Sequence, residues 1–264
     1  DDNLLNKDFV KLVFEIMQKN AEIGVLGGQS IADFDLPPAF WFKDWKNSFA
    51  IGKQSDTEGD ITWTRGYVWG ASMVVRKEAW KKLQSRGFKS ILTDRKGNAL
   101  SAGGDTEICY ALRNSGWKIW YDSRLKFRHH LPFDRLNWVY LRKMFRGFGQ
   151  ASAGLDHYLK TTPPDFRIKN KKLIPKSARF EFRKTIKTLR KIHYKKLLTF
   201  HRKREGDTDI PMHEYCLGRL EGLLKTRVTY NRGIKLLKKA ARKKDFAYLS
   251  PVFINYNQNF PRYK

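Results

Sequence analysis

The sequence predicts an α/β fold followed by a basic, mainly helical extension. Three observations carry that reading. Residues 117–129 alternate: Trp117, Ile119, Tyr121, Leu125, Phe127 and His129 share one parity, the period of a half-buried strand. Helix-spaced segments at 9–20, 77–85 and 105–114 are interspersed with short apolar runs at 23–26 and 73–75, an α/β order. Residues 167–204 are dominated by Lys and Arg, with Phe180, Phe182, Ile186, Leu189 and Ile192 recurring at roughly helical intervals.

In chain order, Phe9, Leu12, Val13 and Ile16 give the first helix its apolar face, and Ile23 to Leu26 form a short buried strand. Gly27-Gly28-Gln29 follows as a loop. Pro37-Pro38 and the cluster Phe40, Trp41, Phe42 and Trp45 read as an irregular connection, residues 49–52 as a strand and 55–59 as a polar turn. Met73, Val74 and Val75 make a buried strand. A helix over 77–85 ends at Arg86-Gly87, and one over 105–114 ends at Ser115-Gly116. Residues 134–148 return to helical spacing through Leu136, Val139, Tyr140 and Met144. Thr161 to Pro164 marks a boundary, which gives a domain over 1–155 and an extension over 156–264. Two further helices fall at 217–224 and 233–241.

The chain of 264 residues is long enough to bury a core, and 41% hydrophobic with 14% aromatic residues fits a folded protein. A net charge of +27 implies a polyanionic partner: nucleic acid, an acidic membrane surface or phosphorylated substrates. Cys109 and Cys216 form no C-x-x-C pair, so the expectation is free thiols and a reducing compartment. No run is long enough for a transmembrane helix.

Chemistry concentrates between Gly66 and Pro132. In Gly103-Gly104-Asp105-Thr106-Glu107 the glycines permit close approach of a ligand. Asp105 sits at a helix start, where a carboxylate serves equally as an N-cap or as a general base, with Glu107 beside the acceptor. His129 points inward with Leu125 and Phe127. It is either a hydrogen-bonded core residue or, with a carboxylate from Asp1-Asp2, a metal ligand. In Trp69-Gly70-Ala71-Ser72 the small residues allow a ligand against the backbone. Trp69 offers either strand packing or a flat face for a sugar ring. P-loop, G-x-G-x-x-G, H-E-x-x-H and G-x-S-x-G patterns are absent.

The order of these motifs is specific. Asp1-Asp2-Asn3, Gly27-Gly28-Gln29, the run from Trp69 to Arg76, Asp94 to Gly97, the run from Gly103 to Glu107, and a strand ending in His129 three residues before Pro132 follow one another, closed by a helix rich in Arg and Gly. This set resembles the inverting family-2-type glycosyltransferases of bacterial surface-polysaccharide synthesis, over about residues 1–155. The resemblance implies a Rossmann-like GT-A fold with a mixed sheet, a nucleotide-diphosphate sugar as donor and a glycan or lipid-linked acceptor. It also implies Mn2+ or Mg2+. With the free thiols and the basic stretch, the expectation is a cytoplasmic, peripheral place on the inner face of the cell membrane. Asp105 matches the family's catalytic aspartate, the expected base. Asp1 and Asp2 match the end of its acidic D-x-D-type motif, with Asp2 on the metal, and His129 matches the histidine that completes the metal site. His130 is the alternative if the register shifts by one. Trp69, Gly70, Ala71, Gly104 and Glu107 fall among the donor- and acceptor-binding positions, and Arg146 where relatives carry a basic motif near the diphosphate. Gly104 stands where many relatives have glutamate, so that residue's role is not carried over. Such enzymes place a βαβ nucleotide-binding half before the acidic motif, so the expectation is a chain that lacks that half.

The basic stretch 167–204 has three readings: a solvated helical face, attachment to an anionic membrane, or nucleic-acid binding. The chain has no helix-turn-helix, zinc-finger or RRM pattern, and the charge lies outside the motif block, which ranks nucleic acid below the enzyme. An inactive glycosyltransferase-like scaffold is the remaining alternative.

Overall fold

The computed structural model describes residues 3–92, 103–158, 177–194 and 205–242. Asp1, Asp2, the Asp94–Gly97 motif and most of the 167–204 stretch lie outside the described residues. The chain forms two compact units, Asp1–Ser85 with Asp105–Asn137, and Arg86–Gly104 with Trp138–Lys264. The helix that begins at Trp138, read from the sequence as the end of the first domain, thus belongs to the second unit.

The first unit is α/β. Its five strands are β1 (Asn3–Leu5), β2 (Ile23–Phe34), β3 (Gly59–Asp60), β4 (Val74–Val75) and β5 (Lys118–Leu131). They form one mixed sheet in the order β1-β5-β2-β4, with β3 also paired to β5. β2 and β5 run parallel, and the other pairs are antiparallel. β5 is central because its alternation is nearly unbroken: Ile119, Tyr121, Leu125, Phe127, His129 and Leu131 are buried, while Lys126 and Arg128 are exposed. The break anticipated at Asp122-Ser123 is a bulge. Pairing jumps from Gly27↔Tyr121 to Gln29↔Lys126, and the extra residues of β5 are tied by Arg124, which donates from its backbone N–H and from Nε to Asp122 Oδ1 at 3.0 and 2.9 Å.

Helix α1 (Phe9–Lys19) lays Phe9 and Ile16, flanked by Leu12 and Val13, on Ile23, Leu26, Leu125 and Phe127. Its C-terminal carbonyls find a donor far along the chain. Arg76 Nη2 donates to Met17 O at 2.8 Å and Asn20 O at 2.9 Å, and its Nε to Ile23 O at 2.6 Å. Helix α3 (Lys77–Ser85) follows directly, and α4 (Gly104–Asn114) packs Cys109 and Leu112 inward.

Several expectations are corrected. Gly27-Gly28-Gln29 is not a loop but lies inside β2. A Cβ on Gly28 would fall 2.0 Å from Leu125 O and one on Gly27 2.6 Å from Val68, so these glycines serve close packing, not a turn. Residues 42–49 form a short helix, α2 (Phe42–Trp45), and a 3-10 turn (Lys46–Phe49), packed through Trp41, Phe42 and Phe49. The expected strand over 49–52 is instead the end of that turn, closed by left-handed Ala50, with one isolated bridge from Gly52 to Ser30. The strand at 73–75 shortens to the two half-buried residues of β4.

The second unit is helical among its described residues: α5 (Trp138–Leu155), α6 (Ala178–Tyr194), α7 (Asp209–Lys225) and α8 (Arg227–Arg242). α5 buries Trp138, Leu141, Met144 and Phe145, while Val139 is exposed. α5 and α7 approach to backbone contact. A Cβ on Gly149 would lie 2.1 Å from Tyr215 O, and one on Gly218 2.0 Å from Arg146 O. Ala153, Ala178, Leu223, Tyr230 and Ile234 form the core beside that crossing. Buried polar groups are matched to one another: Arg219 donates to Asp156 Oδ2 at 2.7 Å and Ser152 Oγ at 2.9 Å, and Tyr230 Oη donates to Asp156 Oδ2 at 2.7 Å. Among the described residues no helix is long and apolar enough to cross a membrane.

Candidate active site around Asp105 and Gly70

α4 begins at Gly104, so Asp105 lies within the first turn and not at the capping position. Its Oδ1 accepts the Thr106 N–H at 2.7 Å and the Thr106 hydroxyl at 3.3 Å. Its Oδ2 accepts the N–H of Gly70, thirty-five residues earlier, at 2.7 Å. Glycine eases the contact: a Cβ at position 70 would sit 3.3 Å from Asp105 Cβ and 3.4 Å from Oδ2, close enough that the Asp105 side chain would have to give by a few tenths of an ångström. An ionised carboxylate offers about four acceptor sites. Three are taken by the described residues, which leave one lone pair on Oδ2, and Gly70 beside it is exposed.

What holds Gly70 there is a buried amide that the sequence reading missed. Gln54 Oε1 accepts the Trp69 N–H at 2.7 Å, and Gln54 Nε2 donates to Gly28 O at 2.8 Å. Successive backbone amides, Trp69 and Gly70, are thus fixed by Gln54 and Asp105. No periodic signal marks a lone glutamine just before a polar turn, so only the fold reveals it.

Behind the loop runs a ladder of cations and aromatic rings. The Arg65 guanidinium lies over Tyr67 at 4.6 Å and over Trp69 at 4.9 Å. Tyr67 meets Tyr110 edge-on at 6.2 Å, and Arg113 lies over Tyr110 at 4.4 Å and Trp63 at 5.0 Å. Burial pulls the Arg113 guanidinium below its ordinary value and pushes the Tyr110 phenol up to about 12. Burial also pushes the Cys109 thiol up to about 12, with the nearby Asp105 charge adding to the effect, so Cys109 is not a nucleophile at neutral pH.

The other sequence-derived candidates fall as follows. Trp69 is buried, with Arg65 stacked on its ring. Ala71 packs on the α1–sheet core, and Glu107 is fully buried in α4. His129 is buried in β5, paired to Asn3 of β1 on one side and Ala32 of β2 on the other. It therefore stands opposite the residue that follows Asp2 in the chain. His130 faces outward, 3.8 Å from Asp33 and 3.5 Å from Asp35. Arg146 belongs to the second unit, where its guanidinium bonds Glu214 at 3.0 Å and also Glu221. Gly104 opens α4 and is buried.

For a divalent metal, the described residues test one donor only. His129 is chemically apt, while Asp1 and Asp2 lie outside them, and no three His, Cys, Asp or Glu side chains converge among the described residues. Comparison of the chain with protein-family models and with curated proteins finds no match.

Proposed function

We propose that this chain carries the acceptor side of an inverting glycosyl-transfer site, with Asp105 as general base. The observation that carries the reading is the 2.7 Å bond from Gly70 N–H to Asp105 Oδ2. It joins two motifs that the resemblance assigns to one site, and it leaves a lone pair beside an exposed glycine. Asp105 takes the proton of an acceptor hydroxyl on that lone pair. The resulting oxygen attacks the anomeric carbon of a nucleotide-diphosphate sugar from the side opposite the diphosphate. The glycosidic C–O bond forms as the C–O bond to phosphate breaks, and the diphosphate leaves with the electron pair. One displacement inverts the centre, with no covalent intermediate.

The resemblance gives His129 as one ligand of an Mn2+ or Mg2+ ion, with Asp2 as the other; in the sheet His129 is paired with Asn3. Such an ion would supply charge stabilisation to the departing diphosphate. The steps above do not depend on it. The packed state of Trp69 argues that the sugar meets backbone at Gly70 and not the indole face.

The test is a panel of nucleotide sugars offered, with Mn2+ or Mg2+, to the protein expressed from its complete open reading frame. Transfer with inversion, read from the anomeric coupling in the product, supports the proposal. Failure to bind or turn over any donor counts against it and favours the scaffold reading.

A further inference from the structure

We infer that one end of the helical unit, where α6 begins and α7 turns into α8, is a docking patch for an anionic lipid surface. The inference is independent of glycosyl transfer. It starts from where the acids go. Glu181, the one acid of α6, is turned inward beside Arg219 at 3.4 Å. Glu214 and Glu221 of α7 are engaged by Arg142 and Arg146. From Gly222 to Arg242 the sequence contains no acid. Among the described residues no acid is paired with the cations on the outside: Arg179, Arg183, Lys184, Lys187, Arg190 and Lys191 on α6, and Lys225, Arg227, Arg232 and Lys235 at the α7–α8 elbow and along α8 are all exposed.

Apolar residues are exposed among them. Phe180 is 41% exposed on α6, and at the elbow Leu224 is 59% and Val228 77% exposed, flanking Lys225 and Arg227. The two clusters lie at one end of the unit, since Ala178 at the start of α6 donates its N–H to Asn231 Oδ1 of α8 at 2.9 Å. Cations attract lipid phosphate, and aliphatic side chains gain by entering the acyl boundary. Nucleic acid fits less well: a phosphate backbone needs only the cations, and Leu and Val offer no surface on which a base stacks.

The test is flotation of the full chain with vesicles of phosphatidylglycerol in phosphatidylcholine against phosphatidylcholine alone, at low and high salt. Binding is expected on the anionic vesicles only and falls with salt. Each of Lys225→Gln and Arg227→Gln weakens it about fivefold. Phe180→Ser with Leu224→Ser and Val228→Ser removes most of the salt-resistant remainder. A polarity-sensitive dye on Val228→Cys, selective because Cys109 and Cys216 are buried, shifts to the blue on anionic vesicles. Equal binding to neutral vesicles, or an unshifted dye, overturns the assignment. So does a DNA duplex that displaces the vesicles and binds the triple-serine variant undiminished, which would give the patch to nucleic acid.

Discussion

Gly70 and Asp105 are joined by a 2.7 Å hydrogen bond across thirty-five residues of sequence, and a Cβ at position 70 would press within 3.3 Å of the Asp105 side chain. Widening position 70 should separate them without unfolding an exposed loop. Gly70→Ala should lower transfer by about tenfold and Gly70→Val further, at nearly unchanged melting temperature, because misplacement of a reacting group by about 1 Å costs on the order of a hundredfold. Steady-state rates together with thermal melts check this. Full activity in Gly70→Val would sever the bond from function.

Gln54 should matter for stability as well as position. Its removal leaves the Trp69 N–H and Gly28 O unpaired in a buried place. Gln54→Ala should cost about 3 kcal/mol, the sum expected for two orphaned buried groups. Denaturant titration measures it, and a loss under about 1 kcal/mol would mean that water replaces the amide.

The Arg146–Glu221 pair sets an acid limb of stability. The hydrogen bond from Arg146 holds Glu221 below its ordinary value of 4.5, and the same bond raises Arg146. A carboxylate lowered by folding contributes stability that is present above its ordinary value and lost as pH falls through its folded value. Glu221→Gln should therefore melt lower than the parent at neutral pH, and the gap should close on acidification below 4.5. A gap independent of pH would assign the loss to packing.

Both thiols should be silent in the native chain. Burial raises Cys109 to about 12 and raises Cys216 as well. A thiol reagent at about pH 8 should modify neither until denaturant is added, and then both. Rapid native modification of Cys109 would show that α4 opens beside Asp105.

Much of the first unit was legible in the sequence because its elements are periodic. The α1 stripe from Phe9 to Ile16, the helix over 77–85, the first turn at Asp105 and the parity of β5 up to His129 all follow from one buried face per element. What was not legible rests on long-range packing. Gly27-Gly28 has the composition of a turn, yet its missing side chains make room for Val68 and Leu125. Gly149 and Gly218 likewise mark a helix crossing that no local pattern announces. Arg76 stands at the end of the Trp69–Arg76 motif, but its guanidinium caps α1. At the site, the sequence singled out Asp105 and Gly70 separately. Their bond, and the Gln54 amide behind it, exist only once β2, the 66–72 loop and α4 are brought together.

The most direct test of the central claim is Asp105→Asn in the protein from its complete open reading frame, assayed for sugar transfer and for donor binding side by side. Asn keeps the shape, and its carbonyl can still accept the Gly70 N–H, but it takes no proton. Transfer should fall by at least about a hundredfold, as for loss of a general base, while donor affinity stays unchanged. Transfer at the parent rate would contradict the account.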